Sequence, residues 1–380
     1  MENGLTSRNS AGQKGGLFAS HRTLKLSIAL VALLIILSSL IIGSFWYYDD
    51  SVRALFNFHY QSALNLHKSR DYTGAIQGFT NAIDNAPDPS AAGQTREMIA
   101  FDTFQRNQGN DRAQAVQMYK SLITDPAIPA AVRAIALTDL GLLTINQGND
   151  FAREYFSAEP FDWYVSDNSR FSVYKTGINM FEAADAIAPE SLAEYAIGYN
   201  YSTLIVNGAL GTTTPQAAAE TIQQYIQKGD QNSKSSSIQY SPSNIAREYF
   251  FRAIAMGVSG NILNNISLPD REEAFQLAIS QEATTTDPQV EAVLMQARLN
   301  YGIFLYKYDS GTNANENIEN VLKPFAQAAT SSPLYAATRA SFVGLITVPA
   351  DSSFIKQQSL KLATISPDFK DFLLSVGWKL

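Results

Sequence analysis

Apolar residues recur every three or four positions along most of this chain after residue 49, and no long alternating run with hairpin turns interrupts them. This spacing places apolar side chains on one face of a helix, whereas strands need strict alternation. Short polar clusters that contain Gly, Asn, Asp or Pro separate the periodic segments, as turns between helices do. The pattern therefore predicts an all-α protein built from antiparallel helix hairpins.

A continuous apolar run near the N-terminus departs from this amphipathic pattern. It reads LSIALVALLIILSSLIIGSFWYY, covers residues 26–48 and contains no charged residue. A helix needs about 20 apolar residues to cross a bilayer, and the aromatic residues at the end of the run suit the membrane interface. The alternative, a cleaved signal peptide, has a shorter apolar core and small residues at its cleavage site. The run therefore predicts an uncleaved transmembrane anchor.

The charges on the two sides of this run differ in sign. The residues before it include four basic side chains and one acidic side chain, namely Arg8, Lys14, Arg22, Lys25 and Glu2. Asp49 and Asp50 follow it directly. Because positively charged flanks stay in the cytoplasm, the sequence predicts a short basic cytoplasmic tail over residues 1–25, one membrane crossing, and all later residues outside the cytoplasm.

Similar turns recur at regular intervals over residues 49–160. The pentapeptide NQGND occurs at Asn107 to Asp111 and again at Asn146 to Asp150. Its composition suits a loop between helices, since Gly adopts positive φ and Asn and Asp bond to the local backbone. Asp71 aligns with the two closing aspartates, at spacings of 40 and 39 residues. The spacing predicts helical hairpins in which an aspartate begins each second helix.

The first of these units resembles a tetratricopeptide repeat. It reads ALNLHKSRDYTGAIQGFTNAIDNAP, and small, aromatic and proline residues occupy the positions typical of that family, namely Ala63, Tyr72, Ala75, Phe79, Ala82 and Pro87. The second unit keeps the pattern at Ala115, Tyr119, Leu122 and Pro126. The third is degenerate, with Glu154 where alanine is expected. The resemblance implies an α-solenoid in which small residues let helices approach closely and aromatic residues fill the gaps between hairpins.

Residues 161–380 continue the helical pattern with a weaker likeness to the family. The predicted helices are Phe171 to Ile187 with Pro189 to Val206, then Pro242 to Gly257, Asp270 to Ile279, and Val290 to Lys307 with Asn315 to Ala329. The serine-rich stretch KGDQNSKSSSIQYSPS at residues 228–243 is too polar to bury much surface. This part of the chain is therefore predicted to hold degenerate hairpins with a mobile loop near 228–243.

Composition narrows the chemistry that the chain can perform. It contains no cysteine, which excludes disulfides, thiolate catalysis and cysteine-ligated zinc. The net charge of −7 and the lack of a basic stripe make nucleic acid a poor partner. His59 and His67 are eight residues apart, which is not the spacing of a helical metal pair, and no phosphate loop or nucleophile motif occurs. We therefore predict no metal, no cofactor and no catalytic residues.

A carboxylate pair is the remaining enzymatic alternative. The segment AREYF occurs twice and places Glu154 and Glu248 on similar predicted helices. Two carboxylates can serve as acid and base in hydrolysis, although glutamates of this kind usually lie on the surface or near helix ends.

An aromatic groove is the candidate binding site. Arrays of this family bind peptides along their first helices, where the present chain has Phe56, Tyr60 and Phe101. Tyr60 and Leu64 occupy the positions at which a chaperone-binding version of the family clamps a terminal carboxylate with Lys and Asn, so that clamp is absent. The three aromatic rings are equally suited to packing between hairpins.

A single N-terminal anchor followed by tetratricopeptide-like repeats is similar in layout to bacterial envelope proteins of that family. The resemblance implies a non-catalytic scaffold or adaptor in the inner membrane that binds a protein or peptide partner outside the cytoplasm, in protein export or envelope assembly. Two alternatives remain: a self-associating structural component of the envelope, and an enzyme with an unrecognised carboxylate site.

Overall fold

The computed structural model describes residues 37–38, 50–167, 169, 171–235 and 242–280, together with isolated positions between 293 and 321. All regular secondary structure in these residues is helical, and no strand occurs among them. The prediction of an all-α fold is therefore confirmed for this part of the chain.

The predicted anchor at 26–48 lies outside the described residues except for residues 37 and 38, which are helical. Within the part of the chain that the structure describes, no helix is long and apolar enough to cross a membrane. The anchor and the basic tail remain predictions from sequence.

The described helices follow one another with short connections. In chain order they are α1 (50–68), α2 (Tyr72–Ile83), α3 (Pro89–Arg106), α4 (Asp111–Thr124), α5 (Ala130–Gln147), α6 (Asn149–Phe156), α7 (Ser172–Ile187), α8 (Ser191–Val206), α9 (Pro215–Ser235), α10 (Pro242–Leu263) and α11 (Leu268–Ser280). Helices α2 to α11 pack mainly on helices close to them in sequence, which is compatible with an α-solenoid. The helices predicted after residue 161 are confirmed at α7, α8, α10 and α11, whereas the pair predicted after residue 290 lies outside the described residues apart from isolated positions.

The first hairpin shows why its residue types are needed. The carboxylate of Asp71 accepts a hydrogen bond from the Gly74 N–H at 3.0 Å and caps the start of α2. Gly78 lies so close to Ala63 of α1 that a Cβ added there would be 2.9 Å from the alanine methyl group. The fully buried ring of Phe79 fills the space beside them. Small residues thus bring the two helices together.

The two copies of NQGND adopt different conformations. In the first copy residues 107–110 form a four-residue connection, with Gly109 at φ +55°. In the second copy Asn146 and Gln147 belong to α5, and Gly148 at φ +90° alone separates α5 from α6. Both glycines therefore have the positive φ predicted from the pattern, but the turns differ in length.

The residue before each copy differs as well. Arg106 precedes the first copy and donates two hydrogen bonds of 2.8 Å to the carboxylate of Asp111, which also accepts the Gln108 N–H at 2.8 Å. Ile145 precedes the second copy and packs against α7 beside Gly177. The second copy has no arginine at this preceding position, and its helix continues for two more residues.

Close packing continues where α7 meets its neighbours. A Cβ added at Gly177 would be 2.6 Å from Ile145 Cδ1 and 2.7 Å from Asn200 Nδ2, and a Cβ added at Gly141 would be 2.7 Å from the ring of Phe181. These glycines let α7 approach both α5 and α8, and the apolar core runs continuously through this region.

The predicted loop at 228–243 is wrong for residues 228–235, which form the last two turns of α9. Gly229 lies against the Tyr195 ring, where a Cβ would be 2.6 Å from the nearest ring carbon. Asp230 accepts a hydrogen bond from the Tyr195 hydroxyl at 2.6 Å and pairs with Arg252 at 2.7 Å. These contacts with α8 and α10 stabilise a helix that the polar local sequence does not predict. Residues 236–241 lie outside the described part of the chain.

Candidate binding cavity

A cavity of about 550 Å³ lies where the end of α1 and the start of α2 meet α3, α5, α7, α8 and α10. This volume is within the range of ligand sites in proteins. Its aromatic lining consists of Tyr72, Phe101, Tyr174, Tyr199, Phe250 and Phe251. The cavity therefore collects side chains from both halves of the described array.

Packing between α8 and α10 orients three of these rings. Tyr199 stacks on Phe251 with ring centroids 4.6 Å apart, and it also contacts Phe250 at 5.7 Å. Burial raises the pKa of Tyr199 above 10, so its hydroxyl is neutral at physiological pH. This part of the wall presents a rigid, uncharged aromatic surface.

The polar lining of the cavity is basic although the chain as a whole is acidic. Lys68, Arg70 and Arg247 contribute positive charges, His67 lies beside them, and no described carboxylate lines the cavity. Lys68 and Arg70 are exposed at the end of α1, and no ion pair joins either of them to another described residue. The entrance is therefore positively charged.

His67 is held by a buried carboxylate behind it. Its Nδ1 lies 2.6 Å from Oδ1 of Asp102, whose side chain is fully buried, whereas Oδ2 of Asp102 has no hydrogen-bond partner among the described residues. Burial raises the pKa of Asp102, and the bond with His67 acts in the opposite direction. If His67 donates its Nδ1 proton to Asp102, its Nε2 is left as an acceptor or a base. The pair can thus accept a hydrogen bond from a ligand.

A pair of acidic side chains, Glu97 and Asp139, lies behind Arg247. Glu97 and Asp139 hydrogen-bond to each other, and burial followed by the charge of Asp139 raises the pKa of Glu97 well above its usual value. Asn244 donates to Oδ1 of Asp139 at 3.2 Å. Burial raises the pKa of Asp139, and the positive charge of Arg247 acts in the opposite direction. These contacts connect the start of α10 to α3 and α5, and they place Arg247 in the cavity wall.

Asn200 contributes a hydrogen-bond acceptor that is almost completely buried. Its side chain is 1% exposed and lines the cavity. Its Nδ2 donates to the Tyr174 carbonyl at 3.3 Å, whereas its Oδ1 has no hydrogen-bond partner among the described residues. A buried acceptor without a donor is costly, so this atom suits a ligand N–H or O–H.

The three residues predicted to line an aromatic groove separate into two places. Phe101 lines the cavity and contacts the His67 ring at 5.8 Å. Phe56 stacks on Tyr60 at 5.4 Å, and Tyr60 meets Phe79 edge to face at 5.3 Å, within the first hairpin. Burial and the nearby Glu97 raise the pKa of Tyr60 to about 12. The first helices do contribute to the cavity, but through Phe101 and through His67 and Lys68 at the end of α1.

The two glutamates of the repeated AREYF segment have different surroundings. Glu154 is exposed on α6 beside Tyr155. Glu248 is buried on α10, where it accepts a hydrogen bond from Ser191 and burial raises its pKa. Neither residue lines the cavity.

A separate polar cluster joins α7, α8 and α9. Lys228 pairs with Oδ2 of Asp185 and lies 3.4 Å from Oε1 of Glu194, which also accepts a 2.6 Å bond from Asn232. The two carboxyl groups hydrogen-bond to each other. Their remaining oxygens, Asp185 Oδ1 and Glu194 Oε2, have no further partner among the described residues. Burial and the charge of Asp185 raise the pKa of Glu194 to about 8. One proton is therefore shared between the two carboxyl groups at neutral pH.

No group of three His, Asp or Glu side chains within the described ranges could hold a metal ion. The fold and the cavity together define a class of protein, namely an array of helical hairpins with a basic, aromatic cavity between its helices. No protein-family model matches the chain, and neither a search of curated proteins nor a search of solved structures finds a match. The likeness to tetratricopeptide repeats therefore rests on the sequence pattern.

Proposed function

We propose that this protein is a membrane-anchored, non-catalytic scaffold of tetratricopeptide-like hairpins that binds a protein or peptide partner outside the cytoplasm. The observation that carries this proposal is the cavity, to which seven helices and one interhelical turn contribute aromatic, amide and basic side chains. Aromatic and arginine side chains in a concave surface are typical of the residues that dominate protein interfaces.

The lining supports binding rather than acyl transfer. No described Ser, Thr or Cys lines the cavity, so the lining offers His67 no serine, threonine or cysteine nucleophile to activate. The partly buried pair of Glu97 and Asp139 accepts hydrogen bonds from Tyr119 and Asn244, which lie on other helices, and interacts with the charge of Arg247. These polar groups therefore have a structural explanation.

The sequence supports a location in the inner membrane. The uncharged run at 26–48, the basic residues before it and the aspartates after it support an inner-membrane protein with a cytoplasmic N-terminus. The array would then face partners of the cell envelope, such as exported chains or envelope assemblies.

A photo-crosslinking residue at Gln105 tests the proposal, because Gln105 lines the cavity. The matched control is the same residue at Gln114, which is exposed on α4 and does not line the cavity. We expect irradiation of intact cells to join another polypeptide to position 105 and not to position 114. Adducts at position 105 that join only two parts of the same chain would contradict the proposal.

Self-association is the second candidate, favoured by an apolar patch on α1. Phe58 is 69% exposed and Leu55, one helical turn before it, is 44% exposed. If the patch joins copies of the chain, the full protein in detergent should sediment as an oligomer, and the double variant L55S/F58S should sediment as a monomer. A monomeric wild type would exclude this candidate.

A further inference from the structure

We infer that the cavity binds a peptide segment with an acidic side chain beside an aromatic or aliphatic one, and that Lys68 and Arg70 bind the acidic group. The inference rests on the proposed function, because it names the chemistry of the partner that the scaffold would take. It assigns a binding role to the end of α1 and to the turn after it.

The distribution of charge in the cavity lining favours a ligand with a negative charge. Two of the four basic lining groups already have a carboxylate close to them, since His67 bonds to Asp102 and Arg247 interacts with the charge of Asp139. Lys68 and Arg70 have no such partner among the described residues, so their charge at the entrance is not compensated. A carboxylate is the natural ligand, because an arginine can donate two parallel hydrogen bonds to it.

The aromatic lining of the cavity favours a particular kind of side chain next to the acidic group of the ligand. Phe101, Tyr199 and Phe250 present ring surfaces deeper in the cavity, and their packing fixes their orientation. An apolar or aromatic side chain of the ligand would gain by leaving water for this surface. A small inorganic anion would leave these rings without a contact.

Asn200 supplies the third point of recognition. Its side chain lines the cavity, and its Oδ1 is buried and has no donor among the described residues. A peptide backbone provides an N–H group for such an acceptor, whereas the carboxylate itself provides none. The three features together fit a segment of polypeptide better than a free organic acid.

Selection from random dodecapeptides displayed on phage, with the full chain in detergent as the target, tests the inference. The variant K68Q/R70N removes the two charges at the entrance, and Asn suits the left-handed conformation of residue 70, which has φ +64°. The control R96Q/R153Q removes two positive charges at exposed ion pairs outside the cavity. Both variants therefore change the net charge equally.

The expected result is an enriched Asp or Glu next to an aromatic or aliphatic residue. Binding of a selected peptide should weaken at least about 10-fold in K68Q/R70N, less than about 2-fold in R96Q/R153Q, and further as salt is added. Enriched peptides without an acidic residue, or equal binding by both variants, would overturn this inference and leave peptide binding intact. A selection that enriches no peptide would overturn the proposed peptide binding as well.

Discussion

At the scale of single residues, the burial of Glu194 links the protonation of its carboxyl group to folding. Glu194 is fully buried, and its pKa of about 8 results first from burial and then from the charge of Asp185. Below that pH one proton bridges the two carboxyl groups, and Lys228 balances the remaining charge. Above it, two negative charges face each other in a poorly solvated position.

The first prediction is that stability falls as pH rises through this window. The folded state keeps the proton on Glu194 up to about pH 8, whereas an unfolded glutamate releases it near pH 4.3, so the folded state binds more protons between these values. The free energy of unfolding should therefore decrease from about pH 5 to about pH 9, by at least about 1 kcal/mol more in wild type than in E194Q.

Urea denaturation at a series of pH values measures this difference. E154Q is the matched control, because Glu154 is exposed on α6 and its substitution should leave the pH profile as in wild type. If wild type and E194Q had the same slope over this pH range, the shared proton would be excluded.

At the scale of helices and turns, neighbouring residues decide what a repeated sequence does. NQGND forms a four-residue connection after Arg106 and a one-residue connection after Ile145. The closing aspartates differ accordingly, since the Asp111 side chain is 8% exposed and the Asp150 side chain is 92% exposed. Identical pentapeptides thus have different energetic roles.

The second prediction compares the two aspartates. D111A removes the bonds to Arg106 and to the Gln108 N–H, so we expect a loss of about 2 kcal/mol in the free energy of unfolding. D150A removes one exposed ion pair with Arg153 and should cost less than about 0.5 kcal/mol. Chemical denaturation of both variants measures the difference, and equal losses would show that the two turns are energetically equivalent.

The third prediction concerns the approach of α7 to its neighbours. In G177A the new methyl group would clash with Ile145 and Asn200, and we expect a loss of about 1 to 3 kcal/mol despite the higher helix propensity of alanine. G257A on α10 is the control, because the nearest atoms to an added Cβ there are 3.9 Å away. It should stabilise the protein by up to about 1 kcal/mol.

Thermal or urea unfolding of both glycine variants gives the sign of each effect. A stabilised G177A would mean that α7 can move away from α5 and α8 at little cost, and the close packing described above would then not be required for folding.

At the scale of the whole molecule, contacts between distant segments shape the cavity. Asn244 at the start of α10 bonds to Asp139 of α5, 105 residues away in sequence. Arg247, Phe250 and Phe251 enter the cavity wall from the same helix. The array therefore has contacts beyond those between neighbouring hairpins, because α10 lines the same cavity as helices near the start of the array.

The fourth prediction tests the topology of the whole chain. The protein has no cysteine, so a single Cys at Gln114, which is exposed on α4, reports the side of the membrane on which the array lies. We expect a membrane-impermeant maleimide to label Q114C in spheroplasts without lysis. Labelling only after lysis would place the array in the cytoplasm and contradict the positive-inside argument.

Local features of the fold could be predicted from the sequence because their causes are local. The apolar period of α7 lies within its own segment, and Asp71 caps the helix that begins at the next residue. The positive φ of Gly109 and Gly148 likewise follows from residue type and turn composition. By contrast, residues 228–235 form a helix because Gly229 and Asp230 contact Tyr195 and Arg252 of other helices.

By itself, then, the sequence determined the helical class of the described residues and the cap and close packing of the first hairpin, since these depend on residue types and spacings a few positions apart. Only the tertiary structure decided the site. Lys68 and Arg247 are separated by more than a hundred residues, and neither shares a motif with Asn200. All three nevertheless line one cavity with Phe101. Their meeting depends on how closely the helices pack, which glycines and buried ion pairs from distant segments fix together.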